Sequence, residues 1–219
     1  MLTYAVGDVH GRLDLLKSVL ARIEADAGGE RHRLVFVGDY IDRGADSAGV
    51  IRTLQALQAE RPGDVVCLKG NHEDLFLKSF GRPDVLRTWI YNGGDTMLAS
   101  FGASGPESVP EDVVAWAAAC PVSFEDERRY FVHAGLRPGR DLAAQTEQDR
   151  LWIRDEFLVG DHDFGKFVVH GHTPRPTGLP DLRRFRVNID TAAVYGGRLT
   201  AARFTDAQAG PDGFIQAGP

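Results

Sequence analysis

The chain has 219 residues, a composition ordinary for a globular protein, and a formal net charge of −6 with a pI near 5.6. That length suits one well-buried domain, and the acidic balance excludes a general nucleic-acid binder, which would carry a basic face. It does not exclude a phosphorylated substrate, because bound dications would reverse the sign of the charge locally.

Leu2–Val6 is a short apolar run that ends at Gly7 and reads as a buried first strand. Arg12–Ala25 follows, with Leu13, Leu16, Val19, Leu20 and Ile23 at helical spacing, and Gly28-Gly29 stops it. Leu34–Val37 is a second strand, Ala48–Ala59 a second amphipathic helix, and Val65–Leu68 a third strand. Strand alternating with helix implies a largely parallel sheet. From Glu73 to about Ser123 the pattern changes: Leu75–Phe80, Pro83–Tyr91 and Glu111–Ala119 look helical, and Gly102–Pro110 is a loop. This stretch, about 75–122, reads as a helical insert beside the site, within one domain spanning 1–205. Arg129–Val132, Phe167–Val169, Arg186–Ile189 and Leu199–Phe204 are further strands, and 206–219 is expected to be a frayed polar tail. Cys67 lies in an apolar run and, with Cys120 the only other cysteine, reads as a buried reduced thiol. No basic-then-apolar leader and no apolar stretch of roughly 20 residues is present, so a cytoplasmic protein with no membrane partner is expected.

Chemistry-bearing residues cluster just past the apolar runs, in five pieces: Gly7-Asp8-Val9-His10-Gly11, Gly38-Asp39-Tyr40-Ile41-Asp42-Arg43-Gly44, Gly70-Asn71-His72-Glu73, His133-Ala134-Gly135 and His170-Gly171-His172-Thr173. In α/β folds, ligand sites form outside the carboxyl ends of strands, so these distant segments can converge. All offer oxygen or nitrogen and none a thiolate, a set suited to hard or borderline dications held close together. Each piece also has a plainer reading. Asp8 can cap the helix beginning near Arg12. Asp42 and Arg43 can form a surface ion pair of little worth. Asn71 can be a turn residue, with Glu73 serving a helix dipole. Taken together the pieces favour metal. Asp39 can bridge two cations, Asp42 can orient a histidine, and Arg43 can grip phosphate with its planar fork. A metal-bound histidine donates a proton poorly, so Asn71 as ligand and His72 as acid is a sensible division. His170 is the doubtful member, at the edge of the site or orienting His172. Arg154, in Leu151-Trp152-Ile153-Arg154, is either a second phosphate clamp or half of a buried pair with Asp155 or Glu156. Six ligands with two carboxylates among them leave two dications in charge excess, which favours a phosphate dianion.

This set resembles the calcineurin-like metallophosphoesterases, and within them the bacterial and phage branch of the PPP-type serine/threonine protein phosphatases. Asn92-Gly93-Gly94, Leu151–Arg154 and Asn188-Ile189-Asp190-Thr191 share the resemblance, which runs from about Thr3 to Phe204. It implies an α/β fold, a four-layer α/β/β/α sandwich with two sheets face to face. It implies a first metal on Asp8, His10 and Asp39, and a second on Asp39, Asn71, His133 and His172. A hydroxide between them would attack phosphorus in line. His72, paired with Asp42, would protonate the leaving group, while Arg43 and Arg154 bind phosphate oxygens. Manganese is the usual metal of the branch, with iron and zinc as alternatives. The chain lacks room for the regulatory grooves of larger members, so no obligate regulatory subunit is expected.

A serine/threonine phosphatase, with phosphotyrosine as a further substrate, is thus the first functional expectation. The alternative is a symmetrical bis(5'-nucleosyl)-tetraphosphatase; those enzymes tend to carry aspartate where this chain has Glu73, which favours the phosphatase. A silent scaffold for phosphorylated partners would have lost ligands or the acid, and none is lost.

Overall fold

Apolar runs and amphipathic helices alternate from the first residues, and the computed structural model, which describes Met1–Pro219, builds them as expected. The first half runs β1 (Leu2–Val6), α1 (Leu13–Ala27), β2 (His32–Phe36), α2 (Ser47–Glu60) and β3 (Val65–Cys67). The insert holds α3 (Asn71–Ser79), α4 (Pro83–Trp89), a π-helical turn (Ile90–Gly94), α5 (Asp95–Phe101) and α6 (Glu111–Ala119). The second half adds β4 (Ser123–Glu125), β5 (Arg129–Val132), α7 (Glu147–Trp152), α8 (Asp155–Leu158), β6 (Phe167–His170), β7 (Asp181–Leu182), β8 (Arg186–Asn188), β9 (Leu199–Phe204) and β10 (Gly213–Ala217).

The strands form two five-stranded sheets, ordered β10-β9-β1-β2-β3 and β4-β5-β6-β8-β7. The central pairs β1–β2, β2–β3, β5–β6 and β6–β8 are parallel, and the remaining pairs are antiparallel. Side chains on successive strand residues point to opposite faces, and both faces are buried. Ala5, Val35, Phe131, Val169 and Val187 face the space between the sheets. Tyr4, Val6, Leu34 and Phe36 pack outward against α1 and α2. Tyr130, Val132 and Val168 pack outward on Ile153 and Phe157, around α8. Burial on both faces explains why the strands read as unbroken apolar runs. The result is the expected α/β/β/α layering. Burying each large apolar side chain in the middle layer is worth about 1.5–3 kcal/mol.

The structure corrects several expectations. The tail is not frayed: Gly213–Ala217 pairs antiparallel with Leu199–Arg203 and extends the first sheet. Its Ile215 and Ala217 pack on the outer core, where an alternating pattern too short to stand out finds a partner edge. The third helix starts at Asn71 rather than Leu75, so Asn71 and His72 sit in its first turn. α5, α7 and α8 were not foreseen; they are short and gain their stability from packing rather than propensity.

Candidate metal centre

Five of the six strands in parallel pairs, all but β8, lead to a residue expected in the site: β1 to Asp8 and His10, β2 to Asp39, β3 to Asn71, β5 to His133 and β6 to His172. The turns that follow are strained. The non-glycine residues with left-handed φ are His10, Asp39, Asp42, Arg43, His172 and Ala192, and all but Ala192 belong to the expected site. Each such conformation costs on the order of 1 kcal/mol or more and persists only where its surroundings impose it. Two glycines let the loops close. A Cβ on Gly70 would lie 2.2 Å from Asp39 Oδ1, and one on Gly171 2.0 Å from Asp8 Oδ1.

Two groups of candidate metal donors converge: His10, Asp39 and His72, and Asp39, His133 and His172, with Asp39 common to both; the first holds His72, expected as the acid, in place of Asp8, expected as a ligand. In the second group, His133 Nδ1 donates to the Val37 carbonyl at 3.0 Å, which leaves Nε2 as a lone pair turned inward. That atom lies 3.4 Å from Asp39 Oδ1, 2.8 Å from Asn71 Oδ1 and 3.2 Å from His172 Nδ1. Asn71 Oδ1 is in turn 2.8 Å from His172 Nδ1. Four atoms that chiefly accept thus surround one point, an arrangement that suits a cation better than a hydrogen-bond network. In the first group, His10 Nδ1 donates to the Ile41 carbonyl at 2.8 Å, and Nε2 faces inward 3.4 Å from Asp39 Oδ2. Arg43 Nη1 donates to that same Nε2 at 2.6 Å, so a positive charge stands beside the ligand atoms.

Electrostatics agree with a centre short of positive charge. Burial drives His10 down to about 3, and likewise lowers His133 and His172, so all three are neutral imidazoles with a lone pair to give. Burial raises Asp8 well above the carboxylate range, helped by the nearby charges of Asp190 and Asp39. Asp190 is carried up to about 7, again mainly by burial. Neutral histidines beside crowded buried carboxylates are what two dications would satisfy, so the residues present fit such ions. Asp8 stands in neither converging group; its carboxylate accepts the backbone N–H of His172 at 3.1 Å.

His72 and Asp42 form a buried pair, with Nδ1 donating to Asp42 Oδ2 at 2.6 Å. Trp89 Nε1 donates to the same carboxylate at 3.0 Å, so the insert holds the pair in place. Arg43 lies under Tyr195, its guanidinium carbon 5.6 Å from the ring centroid. Arg154 is exposed and forms no ion pair with its neighbours: Glu156 binds Arg137 instead, at 3.0 Å. The buried-pair reading of Arg154 is thereby overturned. Its charge reaches the centre and lowers the proton affinity of His133 and His172. His170 does not join the site. Its ring packs on Phe157 with centroids 5.0 Å apart, and Nε2 faces Arg186 at 3.4 Å.

Sequence reasoning misjudged Glu73 and missed Trp89. Glu73 is fully buried and accepts the backbone N–H groups of Asp39 at 3.0 Å, Tyr40 at 2.8 Å and Gly70 at 2.9 Å. It braces the loop that carries Asp39 and does not face a substrate. Only its spacing three residues after Gly70, which lets it cap its own helix, could have signalled this.

Against known proteins, residues 1–201 match the calcineurin-like phosphoesterase family. Serine/threonine-protein phosphatase 1 of Salmonella typhimurium is 31% identical, over 91% of this chain and 90% of that protein. The asymmetrical bis(5'-nucleosyl)-tetraphosphatase PrpE of Halalkalibacterium halodurans is 29% identical, over 92% of this chain and 89% of its own length. Among solved structures, the cold-active protein-tyrosine phosphatase of a Shewanella species superposes with a TM-score of 0.69 at 17% identity, covering 99% of this chain and 77% of that one. A metallophosphoesterase from Sphaerobacter thermophilus does so with a TM-score of 0.61 at 16% identity, covering 99% and 88%. At those identities the superpositions speak for the fold alone. The family match over nearly the whole chain, joined to two converging ligand groups on one aspartate, makes this protein a member of the calcineurin-like phosphoesterase family, a hydrolase of phosphate esters that uses divalent metal ions.

Proposed function

We propose that this protein is a phosphomonoesterase acting with two dications on phosphoserine and phosphothreonine in proteins, with phosphotyrosine as a further substrate. Manganese is the first metal to test, iron and zinc the next. Asp8, His10 and Asp39 would hold one ion, and Asp39, Asn71, His133 and His172 the other. When bound, the ions supply an activated water and offset phosphate charge.

The 2.6 Å pairing of His72 with Asp42 carries the reading. With Nδ1 committed to Asp42, the ring turns Nε2 toward the centre, 4.0 Å from Asp39 Oδ2. Burial works against a charged ring there, but Asp39 and then Asp42 outweigh it, so His72 holds a proton more firmly than a free imidazole. From Nε2 the proton passes to the departing oxygen. A serine or threonine alkoxide leaves poorly without that proton, whereas a phosphoanhydride releases an anion that is already stable. So firmly fixed an acid is worth most to a monoester. Arg43 and Arg154 supply planar forks for the phosphate oxygens; Arg154 has no other partner to give up.

A second reading, hydrolysis of dinucleoside tetraphosphates, is favoured by the equal reach of the PrpE match, 92% of the chain against 91% for the Salmonella phosphatase. That relative is named for asymmetrical cleavage, not the symmetrical cleavage expected from sequence. The buried position of Glu73 removes it as a guide between the two readings. Turnover of a phosphoserine peptide and of diadenosine tetraphosphate by the manganese-loaded protein decides. A higher kcat/KM for the dinucleotide refutes the phosphatase reading, and its products, two ADP or ATP with AMP, then give the cleavage mode.

A further inference from the structure

A cavity of about 450 Å³ lies beside the metal centre, with Arg137, Trp152, Arg154, Asp155 and Glu156 in its wall. α7 ends at Trp152 and α8 begins at Asp155, and Arg154 between them is bent out of helical geometry at φ −130 and ψ −100. The bend spreads consecutive side chains around the cavity. The half-buried indole of Trp152 stands 6.4 Å from the His172 ring at 78°, so it borders both cavity and centre. The wall also holds three carboxylates, Asp149, Asp155 and Glu156. Arg137 is shared between Asp149 at 2.7 Å and Glu156 at 3.0 Å, while the exposed Asp155 has no ion-pair partner. α8 is a single turn with little dipole for these carboxylates to serve.

We propose that this cavity is a specificity site that takes a basic side chain, arginine before lysine, close in sequence to the phosphorylated residue of a protein substrate. The inference rests on the phosphoprotein reading above. With the phosphate at the metal centre and Arg154 turned to it, a neighbouring guanidinium lies flat on Trp152 and pairs with Asp155. The match is one of charge as well as shape: Asp149 is held by Arg137 and Arg140 and Glu156 by Arg137, which leaves Asp155 as the wall carboxylate free to take a cation. A nucleotide fits less well, since its remaining phosphates would meet those carboxylates.

The test uses the full chain loaded with manganese and phosphoserine peptides identical except for Arg, Ala or Glu, placed in turn at each of the nearest positions. An arginine peptide should exceed its alanine counterpart in kcat/KM by roughly five- to thirtyfold at the best position, the size of one stacked and paired cation, and the glutamate peptide should be poorest. Asp155→Lys with Glu156→Lys should invert that order. Trp152→Ala should shrink the arginine preference and Trp152→Phe should retain most of it, with turnover of a small alkyl phosphate unchanged throughout as the sign of an intact centre. Phosphopeptide cleavage without an arginine preference, or a preference that survives the double lysine change, overturns the inference and leaves the phosphatase reading standing. Trp152→Ala that slows only diadenosine tetraphosphate assigns the cavity to a base and also overturns it. Absence of phosphopeptide turnover beside rapid dinucleotide turnover overturns the phosphatase reading itself, and the inference with it.

Discussion

Glu73→Asp separates two roles for one residue. If Glu73 reads the substrate, aspartate should shift preference toward dinucleotides and leave stability alone. If it braces the Asp39 loop, the reverse should hold. Its carboxylate accepts from the backbone of Asp39 at 3.0 Å, Tyr40 at 2.8 Å and Gly70 at 2.9 Å. Removing one methylene withdraws the oxygens by about 1.5 Å, which takes all three bonds past hydrogen-bond range unless α3 moves. Burial and then the charge of Asp39 raise Glu73 to about 7, so at about pH 8 each bond is to a charged group and contributes about 1.5–3 kcal/mol. With part of the geometry recovered by a helix shift, a net loss of two bonds predicts destabilisation of about 3–6 kcal/mol, a large share of the roughly 5–15 kcal/mol of a typical domain. Urea unfolding of the metal-free variant measures this. Metal affinity should weaken as well, because the loop holding the shared aspartate loosens. At saturating manganese, the ratio of phosphopeptide to dinucleotide kcat/KM should stay within about threefold of the parent. A variant within about 0.5 kcal/mol of parental stability, whose ratio moves tenfold toward the dinucleotide, would refute the bracing role.

His72→Asn should keep both metals by elemental analysis and lose roughly 10²–10⁴ in turnover of an alkyl phosphate, with a much smaller loss on p-nitrophenyl phosphate, whose leaving group needs no proton; equal losses on both rule out the acid. Asp39→Ala should empty both positions, and a protein retaining one equivalent of metal shows that the aspartate does not bridge. Asp149 is pushed up by burial, but hydrogen bonds and charge from Arg137, Thr146 and Arg140 outweigh this and hold it below the carboxylate range. A carboxyl depressed in the folded state contributes stability above its unfolded pKa of about 3.9, and that stability is lost as pH falls through the folded value. Asp149→Asn should therefore be about 1–2 kcal/mol less stable at pH 7 and lose less than the parent on acidification below about pH 4. Unfolding curves whose pH dependence runs parallel refute the assignment.

The strands and the cluster of polar donor residues at their ends were legible because local rules govern both. A strand buried on two faces must be apolar throughout, as Leu2–Val6 and Phe167–Val169 are, and a glycine followed by a polar donor at its end has little use except at a site. The short elements were not legible. β10 needs the edge of β9, and α8 needs Phe157 seated on the outer face of the second sheet; neither has a period long enough to declare itself.

Residue chemistry and order along the chain therefore determined the strands, the insert and the clustering of candidate donor residues, since these depend on spacing within a few residues, while the sandwich came from the family resemblance. Only the tertiary structure decided what each polar group faces. His170 and His172 differ by two positions, yet one packs on Phe157 behind the sheet while the other meets Asn71 across 101 residues of chain. Glu73 turned from the substrate to the backbone of residues more than 30 positions away, and Trp89 reached Asp42 across 47. Such partnerships depend on which loops the closed sheets bring together, and no local pattern encodes that distance.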